Sequence, residues 1–372
     1  MNFLIVTHVV HTRIGADLVA YAPYVNEMNI WLKFVDKVTI VAPFKLVENN
    51  PIHQKYNHNN IHFIQVPSFS FTNPKEILKS LFVLPYIFLV IVRAMIQSHH
   101  IHLRCPGNMG LLGSLAQIFF PKKSKSAKYA GNWDPKAKQP LSYKFQKSIL
   151  SNIFLTKKMD VLVYGEWNNQ SKNIKSFFTA TYFENDKVVV EPRILNDKIK
   201  FIFVGTLSAG KQPFYAIQLI ENLYKNGKNV QISFYGEGKE YSKLHDYILK
   251  NNLENYVFLC KNVDREQMKE VYQKSHFLIL PSKSEGWPKV IAEAMFWGCL
   301  PISTPVSCVP NMLGFGQRGI LLTNDLVNDS KSIEEIVVNQ DEYNSKIKEA
   351  INWSRKFTID KFEAEIKKII EL

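Results

Sequence analysis

The sequence predicts an α/β protein built from two doubly wound parallel-sheet domains, and three observations carry that reading. The chain has 372 residues, about two domains on the usual length prior. Short continuous apolar runs recur along it, at 3–7, 38–42, 62–66, 101–104, 161–164, 199–204, 230–235, 256–259, 277–281, 301–304 and 319–322. Runs of this kind suit strands buried on both faces. Segments with helical spacing lie between many of them, at 21–34, 81–92, 111–119, 212–226 and 266–274. Strand–helix alternation is the pattern of a parallel sheet. A hydrophobic content of 46% is ordinary for a globular protein able to bury such sheets.

In doubly wound sheets the ligand loops follow the carboxyl ends of strands. In the first half these loops carry His8, His11, Arg13, Arg104, Asn132, Trp133, Asp134 and Glu166. Residues 8–17 read as a loop around Gly15, and Gly131-Asn-Trp-Asp134 as a strand tip. A proline and polar residues without periodicity make 191–198 the expected linker. The second half opens on strand 199–204, ending in Gly205, where a missing Cβ lets a ligand approach the backbone. Lys211 supplies a point charge suited to phosphate. Strand 230–235 ends in Gly236-Glu-Gly238, too short for a dinucleotide fingerprint.

The most informative stretch follows strand 277–281. Ser284-Glu-Gly-Trp-Pro-Lys-Val-Ile-Ala-Glu-Ala-Met295 reads as a tight glycine loop running into a helix. Pro288 is expected at the first helical position, where its missing N–H is no loss, and Gly298 at the stop. Eight residues at 1.5 Å rise separate Glu285 and Glu293 by up to ~12 Å. A hydrolase pair needs roughly 5–9.5 Å, so the two carboxylates suit opposite ends of one elongated ligand. Between them Gly286, Trp287, Pro288, Lys289 and Val290 form a helix start suited to an anion.

Residues 281–304 resemble the signature of family 4 retaining glycosyltransferases of the GT-B fold. Phe203-Val-Gly-Thr-Leu-Ser-Ala-Gly-Lys211 resembles that family's phosphate loop, and Tyr235-Gly-Glu-Gly238 its second glycine turn. The resemblance covers about 200–355; the first 190 residues match in architecture. It implies two Rossmann-like domains facing a cleft: 1–191 for the acceptor, 192–352 for the nucleotide sugar, and 353–372 as a helix crossing back. It further implies Glu285 and Lys211 as catalytic, with Gly205, Thr206, Gly236, Gly238, residues 286–290 and Glu293 holding a UDP- or GDP-type donor. His11, Arg13, Arg104, Asn132, Trp133 and Asp134 become the acceptor-side candidates. The family usually carries an arginine directly after Gly205; this chain has Thr206, leaving Lys283, Lys289 or Arg318 as substitutes.

The resemblance thus implies retaining transfer of a sugar to a hydroxyl of a glycan or lipid-linked acceptor, in surface polysaccharide or glycan assembly. No Asp-x-Asp pair calls for a metal, and no cofactor is expected. The formal charge is +13, with ten lysines and only Asp134 as an acid between Lys122 and Lys158. An anionic membrane surface is the expected partner of that charge; no nucleic-acid motif accompanies it. Residues 81–92 are apolar but shorter than the 17–25 needed to span, so they read as a buried helix, with surface docking as the alternative. Cys105, Cys260, Cys299 and Cys308 lack metal spacing and read as reduced core residues. With no basic leader in the opening residues, the expected location is cytoplasmic, peripheral on the inner membrane face. Two rival readings are a catalytically weak nucleotide-sugar-binding protein and a basic nucleic-acid-binding protein.

Overall fold

The structure is a computed structural model, and it describes residues 1–46, 53–69, 74–191, 193–195 and 198–371. The chain divides into two compact units, Met1–Phe177 with Phe362–Leu372, and Phe178–Lys361. Three residues of the expected linker, 192, 196 and 197, lie outside the described residues.

In the first unit the strands are β1 (Asn2–Val6), β2 (His11–Ile14), β3 (Asp17–Tyr21), β4 (Lys37–Pro43), β5 (His53–Lys55), β6 (Ile61–Val66), β7 (His100–Cys105), β8 (Ser124–Tyr129), β9 (Met159–Tyr164) and β10 (Ile174–Phe177). Seven of them form an all-parallel sheet in the order β10-β9-β8-β7-β1-β4-β6. The helices are α1 (Ala22–Trp31), α2 (Pro74–Gln97), α3 (Asn108–Ala116) and α4 (Leu141–Ser151).

The expected loop at 8–17 is instead a hairpin. β2 and β3 pair antiparallel around a turn in which Gly15 sits at φ +60°, and β5 adds a third strand. The polar sequence His-Thr-Arg-Ile hid β2, although His11 and Thr12 point inward and are buried. The apolar run at 81–92 is the middle of the longer α2. That helix buries Ile87, Ile91, Ala94 and Met95 against the sheet but leaves Phe82, Tyr86, Leu89 and Ile96 exposed. No helix among the described residues is long and apolar enough to cross a membrane.

The second unit carries β11 (Ile199–Val204), β12 (Val230–Tyr235), β13 (Val257–Cys260), β14 (Phe277–Leu280), β15 (Leu300–Ser303) and β16 (Ile320–Leu321), in the parallel order β13-β12-β11-β14-β15-β16. Its helices are α5 (Pro213–Lys225), α6 (Tyr241–Lys250), α7 (Arg265–Lys274), α8 (Lys289–Phe296), α9 (Val309–Met312), α10 (Leu326–Val337) and α11 (Gln340–Ser354); α12 (Ile359–Glu371) ends the chain. The core is a continuous apolar cluster from both sheet faces, including Phe201, Phe203, Phe234, Phe277 and Ile279. The helical tail breaks at 355–358, where Phe357 packs on Trp353 and Phe178 and the Thr358 hydroxyl accepts from the Lys361 N–H of the next helix. Gly298 (φ +69°) stops α8 as its sequence position predicts.

Candidate functional site

Each main sheet reverses its strand order once, and in such folds ligand loops converge at that point. In the second unit the reversal falls between β11 and β14. Gly205 follows β11 at φ +142°, and a Cβ added there meets nothing within 4 Å, so its face is open. Gly236 and Gly238 have a different reason to lack side chains. A Cβ on Gly236 would lie 2.0 Å from the Gly205 carbonyl oxygen, and one on Gly238 2.2 Å from that of Leu207. The Gly205 N–H donates to Tyr235 O and the Leu207 N–H to Glu237 O, both at 3.0 Å. The second glycine turn therefore braces the first.

The loop after β11 is tied to the loop after β14. The Gln212 side-chain amide donates to Pro281 O at 2.5 Å, and the Lys283 N–H to Gly210 O at 2.9 Å. Across this junction Lys211 Nζ lies 2.5 Å from Glu285 Oε1. Glu285 is only 8% exposed, so the ion pair is not of the weak surface kind. The two residues taken from the sequence as ligand contacts thus hold each other. Gly286 O accepts from Ser307 Oγ and Cys308 Sγ at 3.1 Å each, and Ser282 O from Thr304 Oγ1. The loop carrying Glu285 is held by the loop after β15.

Pro288 is the N-cap of α8 (φ −73°, ψ 93°) rather than its first helical residue. Its extended ψ places the boundary one residue later than expected, at Lys289. No side chain caps this start, which leaves the first-turn N–H groups near Lys289 and Val290 without a side-chain acceptor. Trp287 stacks on Trp353 (6.1 Å) and meets Phe357 edge-on, anchoring the loop. Glu293, half-buried one turn on, accepts from Thr181 Oγ1 at 2.7 Å and Tyr272 OH at 3.0 Å. Thr206 is exposed. Arg318 is no substitute cation at this site: it donates to Asn311 O and Met312 O and covers the Trp353 ring at 5.1 Å. The side chains of Lys283 and Lys289 make no hydrogen bond or ion pair among the described residues.

In the first unit the reversal lies between β1 and β7. A cavity of about 330 Å³ opens there, lined by His8, Pro43, Phe69, Gly107, Asn108 and Tyr143 among others. His8 is solvent-accessible within this concavity; partial burial, then Arg104, lower its pKa. A Cβ on Gly107 (φ +142°) would come within 3.0 Å of His8 Nδ1. His8, named among the strand-end residues but not in the acceptor-side set, lines this cavity from its place just after β1.

Several of the expected acceptor-side residues are used inside the fold. His11 is fully buried, donates from Nδ1 to Val9 O at 2.8 Å and accepts at Nε2 from Tyr56 OH at 2.7 Å; burial pushes its pKa down to about 4. Arg104 pairs with Glu27 at 3.1 Å and lies over Tyr24. Trp133 is buried against Tyr129 and donates to Gln170. Asn132 and Asp134 accept from backbone N–H groups two residues ahead, a self-closed turn. Arg13 is exposed on the hairpin.

The lysine-rich stretch is likewise partly internal. Lys123 Nζ donates to the carbonyls of Met95, Ile96 and Ser98 at the end of α2. Lys128 is fully buried over the rings of Tyr164 and Phe177, and Lys147 lies over Tyr129 and Trp133. Of the four cysteines, Cys105, Cys299 and Cys308 are buried and Cys260 half-buried. Among the described residues no group of three or more His, Cys, Asp or Glu side chains is placed to hold a metal.

Residues 185–353 match the family model of the glycosyl transferases group 1. An uncharacterised glycosyltransferase of Methanocaldococcus jannaschii is 28% identical over 171 residues, 46% of this chain and 47% of that one. The match thus spans about half of the archaeal relative. Protein CapJ of Staphylococcus aureus is 26% identical over 286 residues, covering 72% of this chain and 69% of CapJ. Among solved structures, HepE of Anabaena in complex with UDP and glucose superposes with a TM-score of 0.69 at 14% identity, over 100% of this chain and 99% of that one. The architecture is the GT-B fold, and the match to the group 1 glycosyl transferase model falls within the second unit.

Proposed function

We propose that the protein is a retaining glycosyltransferase of the family 4 type. It moves a sugar from a nucleotide diphosphate sugar, UDP in preference to GDP, to a hydroxyl of a glycan or lipid-linked acceptor in surface glycan assembly. The observation that carries this reading is the Lys211–Glu285 pair at the β11/β14 reversal, beside the open face of Gly205 and the uncapped start of α8. Bond cleavage leaves negative charge on the diphosphate, and preorganised donors in a low-dielectric site stabilise such charge strongly. Lys211, the first turn of α8 and Lys289 supply those donors. Glu285 binds donor sugar hydroxyls, and Glu293 the ribose. The departing phosphate takes the acceptor proton, which leaves no general base to be found and needs no divalent metal.

The HepE complex with UDP and glucose supports the choice of nucleotide. The β1/β7 cavity with His8 is the proposed acceptor contact of the first unit. A stripe at Phe82, Tyr86, Leu89 and Ile96, with Arg93 on the same face, suits docking on an anionic membrane surface from the cytoplasmic side.

The test is a thermal-shift panel of UDP, GDP and ADP and their sugars on the wild type and Glu293→Ala. A ligand at a hundred times its Kd stabilises by about 2.7 kcal/mol. UDP should raise the midpoint of the wild type more than that of the variant, and transfer should persist in EDTA. No shift with any nucleotide would remove the transferase reading.

A further inference from the structure

A second cavity, of about 420 Å³, opens in the first unit at the opposite end of the sheet, by the amino ends of β7, β8 and β9. Its wall includes His100, Lys125, Lys157, Lys158 and Lys172, and among the described residues Asp160 is the one carboxylate lining it. Four lysines facing a single acid make a strongly positive concavity. Lys157, Lys158 and Lys172 are exposed at the rim, and their side chains make no hydrogen bond or ion pair among the described residues.

The floor carries two further observations. Lys125 is 3% exposed and has only carbonyl partners, Phe120 O at 2.9 Å and Gln117 O at 3.5 Å; burial lowers its pKa to about 8. Those two carbonyls lie outside the cavity lining, so Lys125 adds positive charge behind the floor rather than a donor within it. His100 is 1% exposed and its Nδ1 has no hydrogen-bond partner. Its Nε2 lies 2.8 Å from Ser126 Oγ, which is also 2.9 Å from His102 Nδ1. When the Ser126 hydroxyl donates to His100 Nε2 and accepts from His102, the His100 proton sits on Nδ1, ready to donate. The wall is fixed by Asn173 Nδ2, which donates to Leu150 O at 2.8 Å and Thr156 Oγ1 at 3.1 Å.

We propose that this cavity binds a phosphate or diphosphate group, at a site separate from the β11/β14 loops of the second unit. The group can come from a free anion or from a lipid headgroup, and the chemistry of recognition is the same. The proposal does not depend on the donor-site reading.

The test uses the full chain and pyrophosphate as probe, with the wild type, a donor-site variant Lys211→Gln, and a rim variant Lys157→Gln/Lys158→Gln/Lys172→Gln. Unchanged melting of the rim variant establishes that it folds. Calorimetry should show pyrophosphate affinity at least tenfold weaker in the rim variant than in Lys211→Gln. The ¹⁵N signal of His100 should move with pyrophosphate in the wild type and Lys211→Gln but not in the rim variant. Vesicles of phosphatidylcholine with and without phosphatidic acid form the second arm. Movement of the His100 signal by pyrophosphate supports a free anion, and movement by phosphatidic acid vesicles alone supports a headgroup. A His100 signal unmoved by both probes, or moved equally in the rim variant by the probe that moves it in the wild type, overturns the proposal.

Discussion

The two units bury their sheets by different means. In the second, strand interiors are almost wholly apolar and polar chemistry is confined to loops: Phe201, Phe203, Phe234 and Phe277 fill the core, while Lys211 and Glu285 lie beyond strand ends. In the first, polar groups are threaded through the sheet. β8 reads Ser-Lys-Ser-Ala-Lys-Tyr yet is buried from Lys125 onward. Lys128 lies over the rings of Tyr164 and Phe177, and Ser126 bridges His100 and His102. The difference teaches that a parallel sheet needs satisfied strands, not apolar ones: aromatic faces and carbonyls replace water for a buried cation.

The largest effect should follow from breaking the second unit's ion pair. Glu285→Gln and Lys211→Met should each lower kcat by about 10²–10³-fold, the loss usual for a preorganised transition-state donor. The first unit offers the control. Its Arg104–Glu27 pair is buried too, with side chains 14% and 6% exposed. Glu27→Gln leaves an uncompensated buried charge, at a cost of about 3–5 kcal/mol, and should register in melting with donor affinity intact. Equal loss of donor binding in both variants would erase the distinction between a site pair and a scaffold pair.

A second contrast lies between two glycines that look alike in sequence. Gly236→Ala forces a Cβ to 2.0 Å from the Gly205 carbonyl, so the two loops must separate. At least 3 kcal/mol of destabilisation is expected, in the upper range for point mutants. Gly205→Ala meets open space and carries only the strain of φ +142°, of order 1–3 kcal/mol, but it intrudes on the ligand face. Urea denaturation should rank Gly236→Ala as the less stable, and UDP titration should rank Gly205→Ala as the weaker binder relative to its stability.

The same contrast explains what could be read before the structure. Wherever a strand was an apolar run, as at β1, β11, β12 and β14, the sequence located it to within a residue or two. β8 was visible only through the turn at its end, and β2 not at all, because histidine, threonine, lysine and serine carry no period when other side chains satisfy them. The loop and helix start of the second unit's candidate site were legible because glycine, proline and glutamate at a helix start each have a local physical reason. The mutual pairing of Lys211 and Glu285, 74 residues apart, had no local signal. Nor did the burial of His11, whose partner Tyr56 lies 45 residues away.

Acid should separate the units more gently. His11 and His100 in the first unit are held near a pKa of about 4 by burial, and His102 is also lowered; in the second unit His276 is the one lowered to about 4. The ordinary value is 6.5, so between pH 6.5 and 4 the unfolded chain binds protons that the folded units refuse. Stability therefore falls as pH drops through that window, by up to about 3 kcal/mol per histidine. Hydrogen exchange should show β7 and β8 losing protection at a higher pH than β11 and β12. Simultaneous loss would mean that carboxylates, not these histidines, govern the acid transition.

The smallest effect is expected at Thr206, where the chain departs from the arginine that the resemblance leads one to expect. Thr206 is exposed and follows a glycine whose face is open, so Thr206→Arg should change stability by no more than about 0.5 kcal/mol. If a diphosphate lies between Gly205 and the start of α8, an added guanidinium offers it a planar, permanently charged fork that Lys211 cannot supply. Surface charge–charge gains are about 1 kcal/mol or less, so a two- to fivefold lower UDP Kd, weakening with salt, is the expected result. Unchanged affinity would place the diphosphate away from this loop, leaving Lys283 and Lys289 as the cations to test next.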